Sequence, residues 1–117
     1  MTETHHATAI VPCRDLNQSR AFYGWLGFEV TSDHGQYLIL ADGSGWHLHL
    51  TAAQWPGEVE DNPSGLYLYA DDVDAVADRV RELIIEPGAP HTKPWGTYEF
   101  SVSDPDGTLV RVGRVAR

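Results

Sequence analysis

The sequence predicts an α+β fold built from two tandem βαβββ units. Two observations carry this reading. The first half holds a β-branched run, then a capped amphipathic helix, then three strand-like runs separated by turn signals. The same plan begins again after an acid-rich, proline-bounded segment near the middle. With 117 residues, 42% of them hydrophobic, the chain can fill one core but not two independent ones. It is read as a single domain over 1–117, with unit one over about 5–53, a linker over about 54–63 and unit two over about 64–113.

The first strand is expected over Ala7–Val11, where Pro12 either ends it or confines it to a sheet edge. Asp15 caps the first helix, Gln18 three residues on completes a capping-box pattern, and Phe22, Tyr23 and Leu26 share one face before Gly27 stops it. Phe28–Thr31, Tyr37–Ala41 and Trp46–Thr51 read as strands around the turns Asp33-His34-Gly35 and Asp42-Gly43-Ser44-Gly45. In the second half Gly65–Ala70 is a strand in which tyrosines alternate with leucines. Asp71 or Asp72 then caps a helix with Val73, Val76, Ala77, Val80 and Leu83 at helical spacing, until Glu86-Pro87-Gly88-Ala89-Pro90 breaks it. A short strand over Leu83–Glu86 is faintly signalled, and Tyr98–Ser103 and Thr108–Val112 flank the turn Asp104-Pro105-Asp106-Gly107. Between the halves, Arg14-Asp15-Leu16 matches Asp71-Asp72-Val73, and Ala41-Asp42-Gly43 matches Pro105-Asp106-Gly107. One unit leaves a sheet face uncovered, so two units, and a second chain in a homodimer, are expected to close a cavity.

Seventeen acids against eight bases give a formal net charge of −9. That charge repels phosphate backbones and anionic lipid, so neither nucleic acid nor membrane is an expected partner, whereas cationic ligands are attracted. The plain alternative is that the charge serves solubility alone. No apolar run approaches the roughly 18 residues of a membrane span, and the first twenty residues show no basic-then-apolar leader, so a cytoplasmic location is expected. The single Cys13 offers neither an internal disulfide nor a cysteine-based zinc site.

Three stretches carry a resemblance: Arg14-Asp15-Leu16 followed by Ala21-Phe22-Tyr23-Gly24-Trp25-Leu26-Gly27-Phe28, then Asp71-Asp72-Val73-Asp74, then Asp104-Pro105-Asp106-Gly107. Together they resemble the vicinal oxygen chelate superfamily of glyoxalases, fosfomycin-resistance enzymes, extradiol dioxygenases and bleomycin-binding proteins. The resemblance covers about Ala7 to Val112 and implies the glyoxalase/bleomycin-resistance fold, in which a curved mixed sheet encloses a cavity. That fold hosts metal enzymes and metal-free binders alike. The enzymes draw metal ligands from the first and last strands of each unit, and here those columns hold Thr8, Gly65 and Arg111. None is a useful ligand, and a permanently charged guanidinium repels a divalent cation. The fourth column keeps His47 and His49, two apart on one strand face with Trp46, Leu48 and Leu50 on the other, while His5 and His6 lie near the terminus. Two imidazoles without a third ligand rarely hold a catalytic metal, so no cofactor is expected.

Lys93-Pro94-Trp95-Gly96-Thr97-Tyr98-Glu99-Phe100 resembles the segment that precedes the Asp-Pro turn in bleomycin-resistance proteins, and Asp61-Asn62-Pro63-Ser64-Gly65 resembles their linker. The implied site binds without breaking bonds: flat faces stack a heteroaromatic ligand, and acids attract its positive groups. Tyr67, Tyr69 and Trp95 supply the faces, Glu99 the acid, and Ser101, Arg111, His47 and His49 the polar wall. Ordinary strand packing competes as an account of both tyrosines, and loop anchoring as an account of Trp95; Trp25 and Trp46 are assigned to core or subunit contact. The expected function is therefore stoichiometric sequestration of a cationic, aromatic, bleomycin-like ligand in a dimer groove. Two enzymatic readings stand beside it: a metal-dependent glyoxalase or dioxygenase type using His47 or His49, and a metal-free enzyme with one of those histidines as general base near Glu99.

Overall fold

The computed structural model describes residues 5–55, 57–85 and 87–117. Strand β1 (Ala9–Cys13) leads through Asp15 into helix α1 (Leu16–Leu26). The Asp15 carboxylate accepts the backbone N–H of Asn17 and Gln18, and Gly27 closes the helix at φ 115°, a left-handed conformation that a side chain disfavours. Strands β2 (Glu29–Asp33), β3 (Tyr37–Ala41) and β4 (His47–Ala52) complete unit one as a sheet of order β1-β4-β3-β2. β1 runs on through Pro12 to Cys13 rather than stopping before the proline; being an edge strand, it tolerates the lost donor.

Unit two repeats the plan with β5 (Gly65–Tyr69), α2 (Val73–Arg79), β6 (His91–Thr92), β7 (Thr97–Ser103) and β8 (Leu109–Val115), in the order β5-β8-β7-β6. Asp72, not Asp71, caps α2 by accepting Ala75 N–H at 3.0 Å. The helix is shorter than its apolar spacing predicts: it ends at Arg79, and Arg81–Leu83 tighten into a 3-10 turn. No strand forms over 83–85; that stretch makes one bond toward β7, from Ile85 N–H to Ser101 O at 2.8 Å, and Glu86 lies outside the described residues. The second strand of the unit is instead His91–Thr92, beyond the Pro/Gly break. β8 runs three residues past the expected Val112, because Gly113 is a strand residue in spite of its poor strand propensity.

The inner faces of both sheets and both helices meet in one core that includes Leu38, Leu40, Leu48 and Leu50 from unit one, Phe100, Val102, Val110 and Val112 from unit two, and Phe22, Tyr23, Leu26, Val73 and Val76 from the helices. Strand alternation therefore leaves the opposite face of each sheet open. Trp46 packs against this core and stacks on Phe28, whereas Trp25 is 53% exposed, so a core role holds for the first and not for the second.

A buried polar clasp joins the units. Asp104 Oδ2 accepts the Tyr23 hydroxyl at 2.8 Å, Asp106 accepts Arg14 N–H at 3.2 Å and the Ser19 hydroxyl at 3.4 Å, and Asn62 Nδ2 donates to Asp106 O at 2.9 Å. Gly107 must be glycine: at φ 87° a Cβ would lie 2.0 Å from Val59 O. Within its own turn Asp104 Oδ1 accepts Asp106 and Thr108 N–H, each at 2.9 Å, as Asp42 Oδ1 accepts Ser44 and Trp46 N–H at 3.0 and 2.7 Å. The structural counterpart of Asp42 is thus Asp104, two residues before the match drawn from the Asp-Gly pairs. By the same offset His49 corresponds to Arg111.

Candidate functional site

The open face of sheet two is built by strand register. Tyr67 of β5 pairs with Arg111 of β8, which pairs in turn with Ser101 of β7; one step along, Tyr69 pairs with Gly113, and Gly113 with Glu99. The five side chains therefore point away from the core, and Gly113 leaves a gap among them. Tyr69 is 68% exposed with its ring 4.6 Å from that of Tyr67, and Trp95, on the loop entering β7, is 61% exposed. The two tyrosines do not serve core packing, and neither does Trp95.

Glu99 lies beneath these rings, on the side of the sheet that strand alternation predicts, and is fully buried there, with an exposure of 0%. Its Oε1 accepts the hydroxyls of Thr97 and, at 3.2 Å, Tyr67, and the Trp95 indole N–H at 3.5 Å. Arg111 Nη1 stands 3.7 Å from Oε2. Burial alone would raise the Glu99 carboxyl, but the bonds from Thr97, Tyr67 and Trp95 and the Arg111 charge outweigh it and hold the group below its ordinary value. Burial first and the Glu99 charge second raise the Tyr67 phenol, which stays a donor. Lys93 Nζ and the Arg111 guanidinium lie 5.6 and 5.9 Å from the Trp95 ring centre.

Sequence reasoning missed two residues of this cluster. Thr97, two before Glu99 on β7, shares its face by strand alternation, which is the signal that could have found it. Gly113 carries no such signal: a Cβ there would meet Tyr67 Oη at 2.4 Å and Glu99 Cβ at 2.6 Å, so the glycine makes the room in which tyrosine and glutamate meet.

His47 and His49 lie on the open face of sheet one, away from this cluster in the sheet order. His47 is exposed with its ring 5.8 Å from that of His6, and His49 Nδ1 is 2.7 Å from Tyr37 Oη. A general base on this strand thus has a tyrosine for its hydrogen-bond partner, not Glu99. Among the described residues no three His, Cys, Asp or Glu side chains converge on a point where a metal ion could sit. The residues do not fit the catalytic metal of the enzymes on this fold: Thr8 and Gly65 offer no adequate donor, and the Arg111 position holds a cation already set against Glu99. No helix among the described residues is long and apolar enough to cross a membrane.

The family model of the glyoxalase-like domain matches residues 6–116. A bleomycin resistance protein of Klebsiella pneumoniae is 29% identical over 93% of this chain and 91% of its own length. Among solved structures, a bleomycin resistance determinant encoded on the transposon Tn5 superposes with a TM-score of 0.80 at 29% identity, covering 96% of this chain and 98% of that one. A bleomycin-binding protein complexed with bleomycin superposes with a TM-score of 0.79 at 28% identity, covering 95% and 98%.

Proposed function

The chain belongs to the glyoxalase-like domain family, and from that premise we propose that it is a non-catalytic binding protein of the bleomycin-resistance type, which sequesters a cationic aromatic natural product. One observation carries the proposal: the open face of sheet two presents Tyr67, Tyr69 and Trp95 as ring surface above a buried carboxylate, and among the described residues no three His, Cys, Asp or Glu side chains gather beside it to hold a metal ion. Rings left exposed on a sheet face are costly unless something covers them, and flat faces take up planar heteroaromatic groups. The net charge of −9 supports attraction of a cation to the molecule as a whole. One related protein is named a bleomycin resistance protein, and another is a bleomycin-binding protein complexed with bleomycin.

The protein works in this proposal as a cytoplasmic homodimer, with the ligand lying between the open face of sheet two and a face of the partner. Exposed Ile10 beside His49 on sheet one supplies apolar surface that a second copy would cover. The test is titration with a bleomycin, read by tryptophan fluorescence, together with sedimentation of the protein alone. Quenching is expected, and Trp95→Ala should weaken binding by about 1–3 kcal/mol as loss of an aromatic hot spot does. Affinity unchanged in Trp95→Ala would move the pocket elsewhere, and a monomer at tens of micromolar would remove the intersubunit groove.

A further inference from the structure

Among the described residues, the buried side-chain polar atoms left without a hydrogen-bond partner are Glu99 Oε2 and Arg111 Nε, the two halves of one ion pair. A carboxylate oxygen stripped of water and given no donor is costly, and every other acceptor position of this group is in use. Arg111 does not meet the need: at 3.7 Å its Nη1 is outside hydrogen-bond reach, and it is held only by charge and by the Trp95 ring 5.9 Å away, on a side chain 40% exposed. Glu99 has no freedom to turn toward another donor, because three bonds fix Oε1 and the closeness of Gly113 walls its Cβ. The missing donor must come from the open side of the sheet, where Arg111 now stands.

We propose that Glu99 and Arg111 form a cation-exchange site. Arg111 is a resident stand-in, and a ligand bearing an amidinium, guanidinium or ammonium group next to a planar ring displaces it, donating an N–H to Glu99 Oε2 while the ring lies on Tyr67, Tyr69 and Trp95. The ligand class rests on the drug-binding reading above; the exchange itself rests on the orphaned pair. Displaced, the Arg111 guanidinium moves into water and regains its hydration, so the buried carboxylate is never left without a countercharge. Selectivity follows from geometry. A neutral aromatic stacks but leaves Arg111 in place and Oε2 unmet, whereas an anion is repelled by Glu99 and by the net charge of −9.

Two measurements on the full chain test this. In Arg111→Ala, and in Arg111→Gln should the first fold poorly, millimolar methylguanidinium should raise Tm saturably relative to equal tetramethylammonium, with no such rise in wild type or in Arg111→Ala/Glu99→Gln. Absence of rescue in both single variants overturns the site. With bleomycin as probe, removal of the stand-in should tighten binding by about three- to tenfold, since wild type must first vacate the position. Weaker or equal binding would mean that Arg111 contacts the ligand or ignores it, and overturns the exchange. If neither wild type nor variant binds bleomycin while methylguanidinium rescue persists, the drug-binding reading falls and the cation site stands.

Discussion

Tyr23→Phe removes one oxygen from the clasp between the units and changes almost nothing else. Tyr23 has no exposed surface, and its hydroxyl donates to Asp104 Oδ2 at 2.8 Å. Losing the donor leaves a buried carboxylate oxygen underserved, which costs about 2 kcal/mol. An unfolding entropy of about 2.1 cal/mol/K per residue over 117 residues amounts to about 0.25 kcal/mol/K, so Tm should fall by about 8 °C at neutral pH. The pH dependence is the sharper part. Burial raises the Asp104 carboxyl above its ordinary value, against the lowering effect of Tyr23 and of the Thr108 and Asp106 N–H groups. A carboxyl with a raised folded pKa binds its proton more tightly folded than unfolded, so its burden is full at neutral pH and is relieved as pH falls through the folded value. Removing Tyr23 raises that value further. The deficit of Tyr23→Phe against wild type should therefore be largest at neutral pH and narrow on acidification, as followed by circular dichroism melts at a series of pH values. A loss below about 2 °C, or a deficit constant with pH, would refute the account of the clasp.

Three further outcomes are expected. Gly113→Ala places a methyl where Tyr67 Oη and Glu99 Cβ already stand, so it should cost about 1–3 kcal/mol by overpacking in a urea titration and perturb ligand binding more than any change on the helix side. Glu99, with its folded carboxyl lowered, contributes stability that is present above its unfolded value and lost as pH falls through the folded one; Glu99→Gln should flatten that acid limb in melts between pH 6 and 3. Zinc, nickel, manganese and iron(II) should each leave Tm unchanged, since a metal at a hundredfold excess over its Kd would add about 2.7 kcal/mol and shift the melt by about 11 °C. A shift of that size, abolished in His47→Ala/His49→Ala, would restore the metalloenzyme reading.

The duplicated βαβββ plan was legible because it is written in local chemistry. Asp15 caps one helix and the Asp71-Asp72 pair the other, Gly27 stops a helix, apolar residues alternate in β4, β5 and β7, and Asp104-Pro105-Asp106-Gly107 turns the chain, all through contacts within a few residues. Alternation also assigned faces correctly: Phe100 and Val102 went to the core and Glu99 and Ser101 to the other side. Other features were decided only when distant strands met. Gly113 reads as a strand breaker in one dimension, yet β8 continues through it because β5 and β7 bring Tyr67 and Glu99 into the space a side chain would fill. Glu99 reads as an acid facing a cavity, but three donors from Thr97, Tyr67 and Trp95 close over it, and Arg111 reaches its charge without reaching its oxygen. Asp104 and Asp106 read as turn residues alone, whereas their carboxylates also tie one unit to the helix of the other. Propensity and periodicity act over single elements, so the sequence by itself determined the elements and their order with the exception of β6, a two-residue strand held by pairing with β7. Burial of a charge depends in addition on distant partners, Tyr67 for Glu99 and Tyr23 for Asp104, which stand 32 and 81 positions away and which only the folded sheets bring together.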